Sequence, residues 1–250
     1  MFKFLIVSLV NLVCIFSTIL YAGTIDPKKT DTQYVEYGKK FVHVGKIYGE
    51  DLKDVQYHGS CIAFGDRVVL TAGHILHDGK TAVIHINDKH IKVKQWIVHE
   101  RFDYQILGFN DIAICLLEED IGLEWYPSLY DNKNEIGKVC SLSGYGSTGT
   151  FLTGPKKEDH LRRAGSNLIS TIENGVLICD PSMDRTKTHL EFFICPGDSG
   201  GGLFIDQKIA GIHSYTMKFM PSNKQFSGHT RVSNYVEWIN SKKQLLENNK

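Results

Sequence analysis

The run Gly197-Asp198-Ser199-Gly200-Gly201 has the composition of a nucleophile loop. Glycines on both sides of a serine let the backbone turn sharply, so that successive N–H groups can point at one spot. Such a spot can stabilise the negative oxygen of a tetrahedral intermediate in acyl transfer. The run therefore predicts that Ser199 is a nucleophile and that the backbone N–H groups of Gly197 and Ser199 form an oxyanion hole.

Two further motifs supply the groups that a serine nucleophile needs. A serine hydroxyl is a weak nucleophile at neutral pH and requires a nearby base, for which imidazole has a suitable pKa. His74, at the end of the run 71–74, is the candidate base. That base needs a carboxylate to fix its tautomer and to stabilise the imidazolium that forms. Asp111 begins an apolar run, so the predicted catalytic residues are His74, Asp111 and Ser199.

Short β-like runs separated by turn signals dominate the chain. The predicted strands are 68–72, 81–86, 91–98, 111–117, 138–142, 175–179, 202–205 and 208–214. Turn-forming residues lie between them at 78–79, 87–88, 144–149 and 174–175. This alternation of short strands and turns indicates an all-β body.

The last stretch of the chain changes to helical periodicity. Apolar residues there share one helical face: Val232, Tyr235, Val236, Ile239 and Leu246. This spacing predicts a C-terminal helix over residues 233–247. An all-β body with one terminal helix favours paired antiparallel β-barrels. The candidate base and acid then fall in the first barrel and the serine in the second, with the site between them.

The first 22 residues have the features of a secretory signal peptide. Lys3 gives a positive start, residues 4–20 are almost wholly apolar, and the small Ala22 and Gly23 provide a cleavage site. A run of this length can also act as a membrane anchor, which the small residues disfavour. We expect residues 1–22 to be removed and residues 23–250 to form one two-barrel domain. The mature protein is expected to be secreted (extracellular or periplasmic), with no membrane attachment.

Charge and composition argue against several kinds of partner. The 28 Lys and Arg residues balance the 28 Asp and Glu residues, and the lysines are scattered, so nucleic acid is not expected as a partner. The basic residues Lys156-Lys157 and Arg162-Arg163 are interpreted as a solvated loop. The histidines lack a cysteine or carboxylate framework at metal-binding spacing. We therefore expect no metal, no cofactor and a monomeric protein.

An odd number of cysteines remains after removal of the signal peptide: Cys61, Cys115, Cys140, Cys179 and Cys195. At least one thiol is therefore unbridged or bonded to another molecule. Cys115 lies in an apolar run and is interpreted as a small buried hydrophobe. Cys179 and Cys195 flank one long connection and are predicted to form a disulfide bond.

These motifs resemble the chymotrypsin/trypsin family of serine endopeptidases over residues 34–239. The order histidine, aspartate, serine is that of the family's triad. Residues 98–102 are similar to the segment before the family aspartate, and residues 140–146 to its Cys-x-x-Ser-Gly-Trp-Gly. Residues 211–215 resemble its substrate-binding strand and residues 230–239 its terminal helix. The resemblance implies an all-β fold of two packed antiparallel six-stranded β-barrels with a C-terminal α-helix. It also implies hydrolysis of peptide bonds through an acyl-enzyme, with a protein or peptide as substrate.

Two departures from the family pattern are visible. Ile75 and Ile205 stand where the family has cysteines, so the chain resembles a disulfide-poor branch near the glutamyl endopeptidases. Nothing near Tyr34 matches the Ile-Val-Gly-Gly start that cleavage exposes in family zymogens. In those enzymes the new ammonium pairs with the aspartate before the serine, here Asp198. Because an unpaired buried charge is costly, we expect another group to satisfy Asp198 and no trypsin-style activation.

The resemblance assigns six residues to substrate binding: Phe193, His213, Ser214, Tyr215, Thr216 and His229. Trypsin-like enzymes carry aspartate where Phe193 stands, so the pattern argues against cleavage after Arg or Lys. Thr216 replaces a glycine and should narrow the pocket. His213 and His229 resemble the imidazoles with which glutamyl endopeptidases and exfoliative toxins hold a substrate carboxylate; alternatively they fill the barrel. Acidic and small or apolar side chains are both candidate specificities.

A secreted pseudoprotease is the alternative function. Such a binding module keeps the fold but not the chemistry, and it usually lacks a residue of the triad. All three triad residues are present here, whereas the activation signature is missing. The intact triad favours the enzyme.

Overall fold

The computed structural model describes residues 25–106, 108–180, 188–219 and 224–248, so the predicted signal peptide lies outside the described residues. Six strands come first: β1 (Val44–Asp51), β2 (Gln56–Gly65), β3 (Val68–Thr71), β4 (Gly79–Ile86), β5 (Lys89–Val98) and β6 (Ala113–Leu117). Eight follow: β7 (Val139–Gly144), β8 (Thr148–Thr150), β9 (Gly154–Lys157), β10 (Arg163–Glu173), β11 (Val176–Cys179), β12 (Gly202–Ile205), β13 (Lys208–Phe219) and β14 (Lys224–Arg231). The helices are α1 (Asp31–Gly38), α2 (Gly73–Leu76), a 3₁₀-helix (Val232–Asn234) and α3 (Val236–Asn248). Within the described ranges, no helix is long and apolar enough to cross a membrane.

Twelve of the strands form two closed antiparallel barrels. The first barrel has the strand order β1-β2-β3-β6-β5-β4, and the second has the order β10-β11-β14-β13-β12-β7. Strands β8 and β9 form a separate two-stranded ribbon. The prediction of two six-stranded antiparallel barrels with a C-terminal helix is therefore confirmed.

Tight turns set the register of the hairpins. Asn87 and Asp88 between β4 and β5 have φ values of 51° and 56°, and Asn174 and Gly175 between β10 and β11 have 49° and 79°. Two consecutive left-handed residues form the type of turn whose twist matches that of the flanking strands. Both turns were predicted from the sequence, because Asn, Asp and Gly tolerate this conformation best.

The C-terminal helix closes the first barrel. Its apolar face was predicted over residues 233–247, and the structure has a 3₁₀-helix followed by α3. Val232, Ile239 and Leu246 are fully buried and join the hydrophobic core of the first barrel. Strand β6 is buried along its whole length, because α3 covers its outer side.

The N-terminal helix α1 was not predicted, and it packs on β10 of the second barrel. Arg163 at the start of β10 is only 2% exposed and forms ion pairs with Asp31 of α1 and with Asp159. The neighbouring Arg162 donates to the carbonyl of Gly38 at 2.9 Å. The interpretation of Arg162-Arg163 as a solvated loop is therefore wrong: both guanidinium groups hold α1 in place.

A buried carboxylate joins the connection between the barrels to the C-terminal region. Glu135 is fully buried and accepts hydrogen bonds from Arg231 Nε and Nη2 at 2.8 and 2.7 Å and from Ser233 Oγ at 2.7 Å. Burial alone would raise the pKa of Glu135, but these donors outweigh it and hold the pKa below its usual value. Glu135 therefore stabilises the native state in its ionised form.

Replacing Glu135 by glutamine should lower the free energy of unfolding by about 2 kcal/mol at neutral pH, because Arg231 loses its buried carboxylate. The wild-type advantage is complete above the ordinary pKa of glutamate and is lost as the pH falls through the lowered pKa of the folded state. Urea unfolding of wild type and Glu135→Gln from neutral pH down to about pH 3 measures both effects. Glu119→Gln is the matched control, since Glu119 is exposed in the same connection; a pH-independent deficit in Glu135→Gln would contradict this role.

Candidate active site

His74 lies where a barrel strand turns into a short helix. Strand β3 ends at Thr71, and His74 is the second residue of α2. The space at Gly73, just before it, is tight, because a Cβ there would lie 3.3 Å from Asp111 Oδ1 and 3.2 Å from Ile112 N. The imidazole is 30% exposed, so it is anchored at the barrel end yet accessible to a reactant.

Asp111 holds His74 through two hydrogen bonds. Asp111 Oδ1 accepts from the backbone N–H of His74 at 2.8 Å, and Oδ2 lies 2.8 Å from His74 Nδ1. The hydroxyl of Ser214 also donates to Oδ2. Burial would raise the pKa of Asp111, which is only 3% exposed, but the hydrogen bonds from His74 and Ser214 lower it. The carboxylate is thus ionised, and it fixes the proton of the imidazole on Nδ1.

The glycine-rich loop is held between the barrels. Ser60 N of β2 donates to Ser199 O at 2.7 Å, and Gly200 N donates to His213 O of β13 at 2.8 Å. Gly200 has φ 82°, and a Cβ there would lie 2.1 Å from Thr71 Oγ1. The position can therefore accommodate only glycine, which explains the composition of the motif.

Two amides of this loop are available to a ligand. The amides of Asp198, Gly200 and Gly201 donate to carbonyls within the protein. In contrast, the amides of Gly197 and Ser199 have no hydrogen-bond acceptor among the described residues. These are the two amides that the sequence assigns to an oxyanion hole. In addition, Ser199 is half-buried and its Oγ makes no hydrogen bond to a described residue, as is common before substrate binds.

Ser60 fixes the orientation of the Gly197 peptide and was not predicted. Its Oγ donates to Gly197 O at 2.9 Å and accepts from Tyr145 N at 2.9 Å. Because the carbonyl of Gly197 is held by Ser60, the peptide cannot rotate freely. Ser60 lies in β2, which the sequence did not identify as a strand, and a lone serine carries no pattern that marks such a role.

Aspartate 198 is buried behind this loop. Its Oδ1 accepts from Gly146 N at 2.8 Å, and its Oδ2 accepts from Cys195 N at 2.9 Å. Burial raises the pKa of Asp198 to about 6, although these hydrogen bonds oppose the shift. Among the described residues, no cationic side chain forms an ion pair with it. Backbone N–H groups therefore take the place of the ammonium partner that the resemblance implies.

Some of the predicted substrate-binding residues lie beside the imidazole. A cavity of about 210 Å³ opens there. Its lining residues are His74, Phe102, Asp103, Tyr104, Ile106, Gly108, Asp111, Ser214 and Tyr215. The structure thus brings two of the six predicted substrate-binding residues together with the His74–Asp111 pair; Thr216 follows them in β13 and is half-buried.

The other predicted substrate-binding residues are fully buried. His213 Nδ1 lies 2.9 Å from His229 Nδ1, and His229 Nε2 lies 2.9 Å from Ser227 Oγ. Burial lowers the pKa of His229 to about 3 and that of His213 well below its usual value, so both imidazoles are neutral. Phe193 is completely buried in a separate cluster with Phe151 and Cys195.

The predicted Cys179–Cys195 disulfide bond is wrong. Cys179 Sγ lies 3.9 Å from Cys140 Sγ, inside the second barrel, and Cys195 Sγ donates to Ser147 O at 2.9 Å. The two thiols therefore face different parts of the molecule. Cys115 is fully buried in the core of the first barrel, as its apolar run predicted.

Comparison with known proteins identifies the family. The family model "Trypsin" matches residues 47–239. The chymotrypsin of Phaedon cochleariae is 33% identical over 69% of this chain and 67% of its own length. This chain belongs to the trypsin family of serine endopeptidases. The alpha- and beta-fibrinogenase OhS1 of Ophiophagus hannah is 27% identical over 68% of this chain and 71% of its own length.

Solved structures show the same fold. The mouse brain serine protease neuropsin superposes with a TM-score of 0.65 at 19% identity, covering 81% of this chain and 95% of its own. HL collagenase gives the same TM-score at 17% identity, covering 82% of this chain and 94% of its own. As a member of the trypsin family, the protein is a hydrolase that acts on proteins or peptides.

The Ser214→Ala variant of this protease should lose about tenfold in kcat/KM, because the buried carboxylate of Asp111 loses one of its donors. Steady-state kinetics on a peptide ester measure the effect. Ser170→Ala is the control, since Ser170 Oγ donates to Ile178 O within the second barrel, away from Asp111. Unchanged kinetics in both variants would show that Asp111 does not need the third donor.

Proposed function

We propose that the protein is a secreted serine endopeptidase with the catalytic residues His74, Asp111 and Ser199. The observation that carries this proposal is the buried Asp111 carboxylate 2.8 Å from His74 Nδ1, next to a glycine loop with two available amides. Lys3, the apolar run 4–20 and the small residues Ala22 and Gly23 support residues 1–22 as a signal peptide. The mature protein is then residues 23–250, extracellular or periplasmic, and we propose it to be a monomer.

In the proposed reaction, Ser199 Oγ attacks the scissile carbonyl while His74 Nε2 accepts the hydroxyl proton. The Asp111 carboxylate stabilises the resulting imidazolium through Nδ1. The amides of Gly197 and Ser199 donate to the oxyanion, and each such donor contributes roughly 3 kcal/mol to transition-state stabilisation. His74 then protonates the leaving amine, and water hydrolyses the acyl-enzyme by the same steps in reverse.

The pseudoprotease alternative is less well supported than catalysis. A binding module has no need of an ionised carboxylate that is buried at a cost and satisfied by three donors. It also has no need of two amides without internal acceptors beside a serine. Both features have an obvious use only if Ser199 reacts.

For specificity, we propose that the enzyme does not cleave after Arg or Lys and that it accepts small or apolar side chains. Phe193, Tyr215 and Thr216 provide no carboxylate for a basic side chain. The complete burial of His213 and His229, both neutral, favours a packing role over direct contact with a substrate carboxylate. Cleavage after Glu or Asp remains the alternative specificity, because two neutral imidazoles can still supply one N–H donor.

The catalytic proposal is tested with a fluorophosphonate probe. Purified protein starting at residue 23 should gain the mass of one adduct, because the probe needs an activated serine and an oxyanion hole but no matched substrate. Ser199→Ala should gain none. Intact mass spectrometry reads both results. If folded wild type does not react, the catalytic proposal fails for the uncut chain and the pseudoprotease reading gains support.

The specificity proposal is tested with a peptide library. Cleavage should follow small or apolar residues, with hydrolysis after Arg or Lys roughly a hundredfold slower, because none of the six predicted substrate-binding residues carries a carboxylate. Mass spectrometry of the fragments gives the residue before each cut. A dominant preference for Glu or Asp would replace this proposal by the acidic alternative and assign the His213–His229 pair to the pocket.

A further inference from the structure

The segment that precedes the first barrel is packed against the second one. Residues 25–41, called the N-terminal brace below, comprise an extended stretch, α1 and the turn after it. The brace crosses β10 and reaches residues 191–192, which lie three residues or more ahead of Cys195. The family fold has its catalytic residues elsewhere, so the brace needs a separate explanation.

Tyr34 is the centre of this contact. It is 0% exposed, its hydroxyl donates to Glu191 O at 2.8 Å, and the same oxygen accepts from Asp26 N at 3.1 Å. Its ring lies 6.0 Å from that of Phe192. Burial raises the pKa of Tyr34, so the phenol stays a neutral donor. One side chain of the brace thus fixes the backbone at Glu191.

The extended part of the brace holds two segments at once. Ile25 forms β-bridges to Phe192 and to Thr150. Ile25 N donates to Gly149 O at 3.2 Å, and Phe151 N donates to Ile25 O at 3.1 Å. The stretches 149–151 and 191–192 are therefore tied together through one residue of the brace.

Arg163 anchors the helix of the brace. Its Nε and Nη2 each donate to an Asp31 oxygen at 2.7 Å, while Nη1 and Nη2 donate to Asp159 at 2.9 and 2.6 Å. At the other end, a Cβ on Gly38 would lie 2.4 Å from Arg162 O. Both ends of α1 are thus fixed against the start of β10, and this fixes the position of Tyr34 relative to Glu191.

Each of the two segments that the brace holds lies a few residues from an amide that donates to Asp198 in the catalytic loop. Cys195, four residues after Glu191, donates its N–H to Asp198 Oδ2, and Gly146, three residues before Gly149, donates to Oδ1 at 2.8 Å. These amides are the backbone partners of the buried Asp198 carboxylate, and Asp198 stands between the two oxyanion amides. Displacement of either segment would therefore displace the oxyanion hole.

The geometry points to the N-terminal brace as the device that organises the oxyanion hole in the uncut chain, with Tyr34 as a positioning residue. The brace does so from outside, by holding the segments that supply the two N–H donors to Asp198. A new N-terminal ammonium is then unnecessary. This inference rests on the proposed serine endopeptidase function.

Tyr34→Phe tests the inference, with Tyr37→Phe as its matched control. Tyr37 is on the same helix, but its hydroxyl bonds Ser141 Oγ of β7 at 2.9 Å rather than the segment at 191. Each protein is titrated with the fluorophosphonate, and kcat and KM are measured per reactive site. Tyr34→Phe should lose about tenfold in kcat with little change in KM, whereas Tyr37→Phe should stay within about twofold. The two variants should have similar Tm values.

A second pair of variants covers the case in which Tyr34→Phe does not fold. Asp31→Asn weakens the Arg163 anchor, and Glu36→Gln removes an exposed charge that pairs only with Lys39 among the described residues. Asp31→Asn should reduce kcat per reactive site several-fold, and Glu36→Gln should not. Equal kcat in Asp31→Asn and Glu36→Gln would overturn the inference, as would equal kcat in the two tyrosine variants.

The mass of the labelled wild type separates the inference from the proposed function. Labelling of a chain that still contains residues 25–41 is expected. Labelling confined to molecules cut within or after the brace overturns the inference but leaves the serine endopeptidase intact. Absence of labelling in every form of the folded wild type overturns both.

Discussion

The position of the glycine loop (residues 197–201) depends on backbone hydrogen bonds to both barrels. Ser60 of the first barrel bonds Ser199 O and Gly197 O, and His213 of the second barrel bonds Gly200 N. The space left between Thr71 and the loop admits no Cβ at Gly200. Ser199 is thus held by neither barrel alone, and its position relative to His74 follows from how the barrels pack.

Three buried carboxylates, those of Asp111, Glu135 and Asp198, fall into two groups by the direction of their pKa shifts. Asp111 and Glu135 receive side-chain donors that outweigh desolvation, so the pKa of each lies below its usual value. Asp198 receives only two backbone N–H groups and a distant thiol, and desolvation prevails, which raises its pKa to about 6. The hydrogen-bond donors around a buried carboxylate thus decide whether its pKa lies below or above the usual value. Of the three carboxylates, Asp198 is the least well compensated, and it lies between the two amides, those of Gly197 and Ser199, that have no acceptor among the described residues.

The barrels, the C-terminal helix and the positions of most strands followed from the sequence, because period-two runs and Asn-Gly-type turns are local signals. The barrel strands β1, β2, β10 and β14 were missed, as were the ribbon strands β8 and β9. Glycines and polar residues in the missed barrel strands break the alternation; Gly49, for example, is required where a Cβ would meet Thr81 O at 1.9 Å. Asp111 beside His74 was predicted from motifs. Helix α1, the burial of Arg163 and the role of Ser60 were not, because each depends on a contact with a residue distant in the chain. The predicted Cys179–Cys195 disulfide bond was wrong for the same reason, because which thiols lie close together depends on contacts between distant parts of the chain.

The first and the last helix each pack on the barrel that is formed by the other half of the sequence. Helix α1 comes first but packs on β10 of the second barrel, whereas α3 comes last and covers β6 of the first. Neither half of the sequence therefore contains all the residues that shield its own barrel. Because α3 follows the strands of the second barrel in the chain, the barrel that carries His74 is fully shielded only when a segment beyond the second barrel has packed on β6. Folding of the two barrels is in this way coupled.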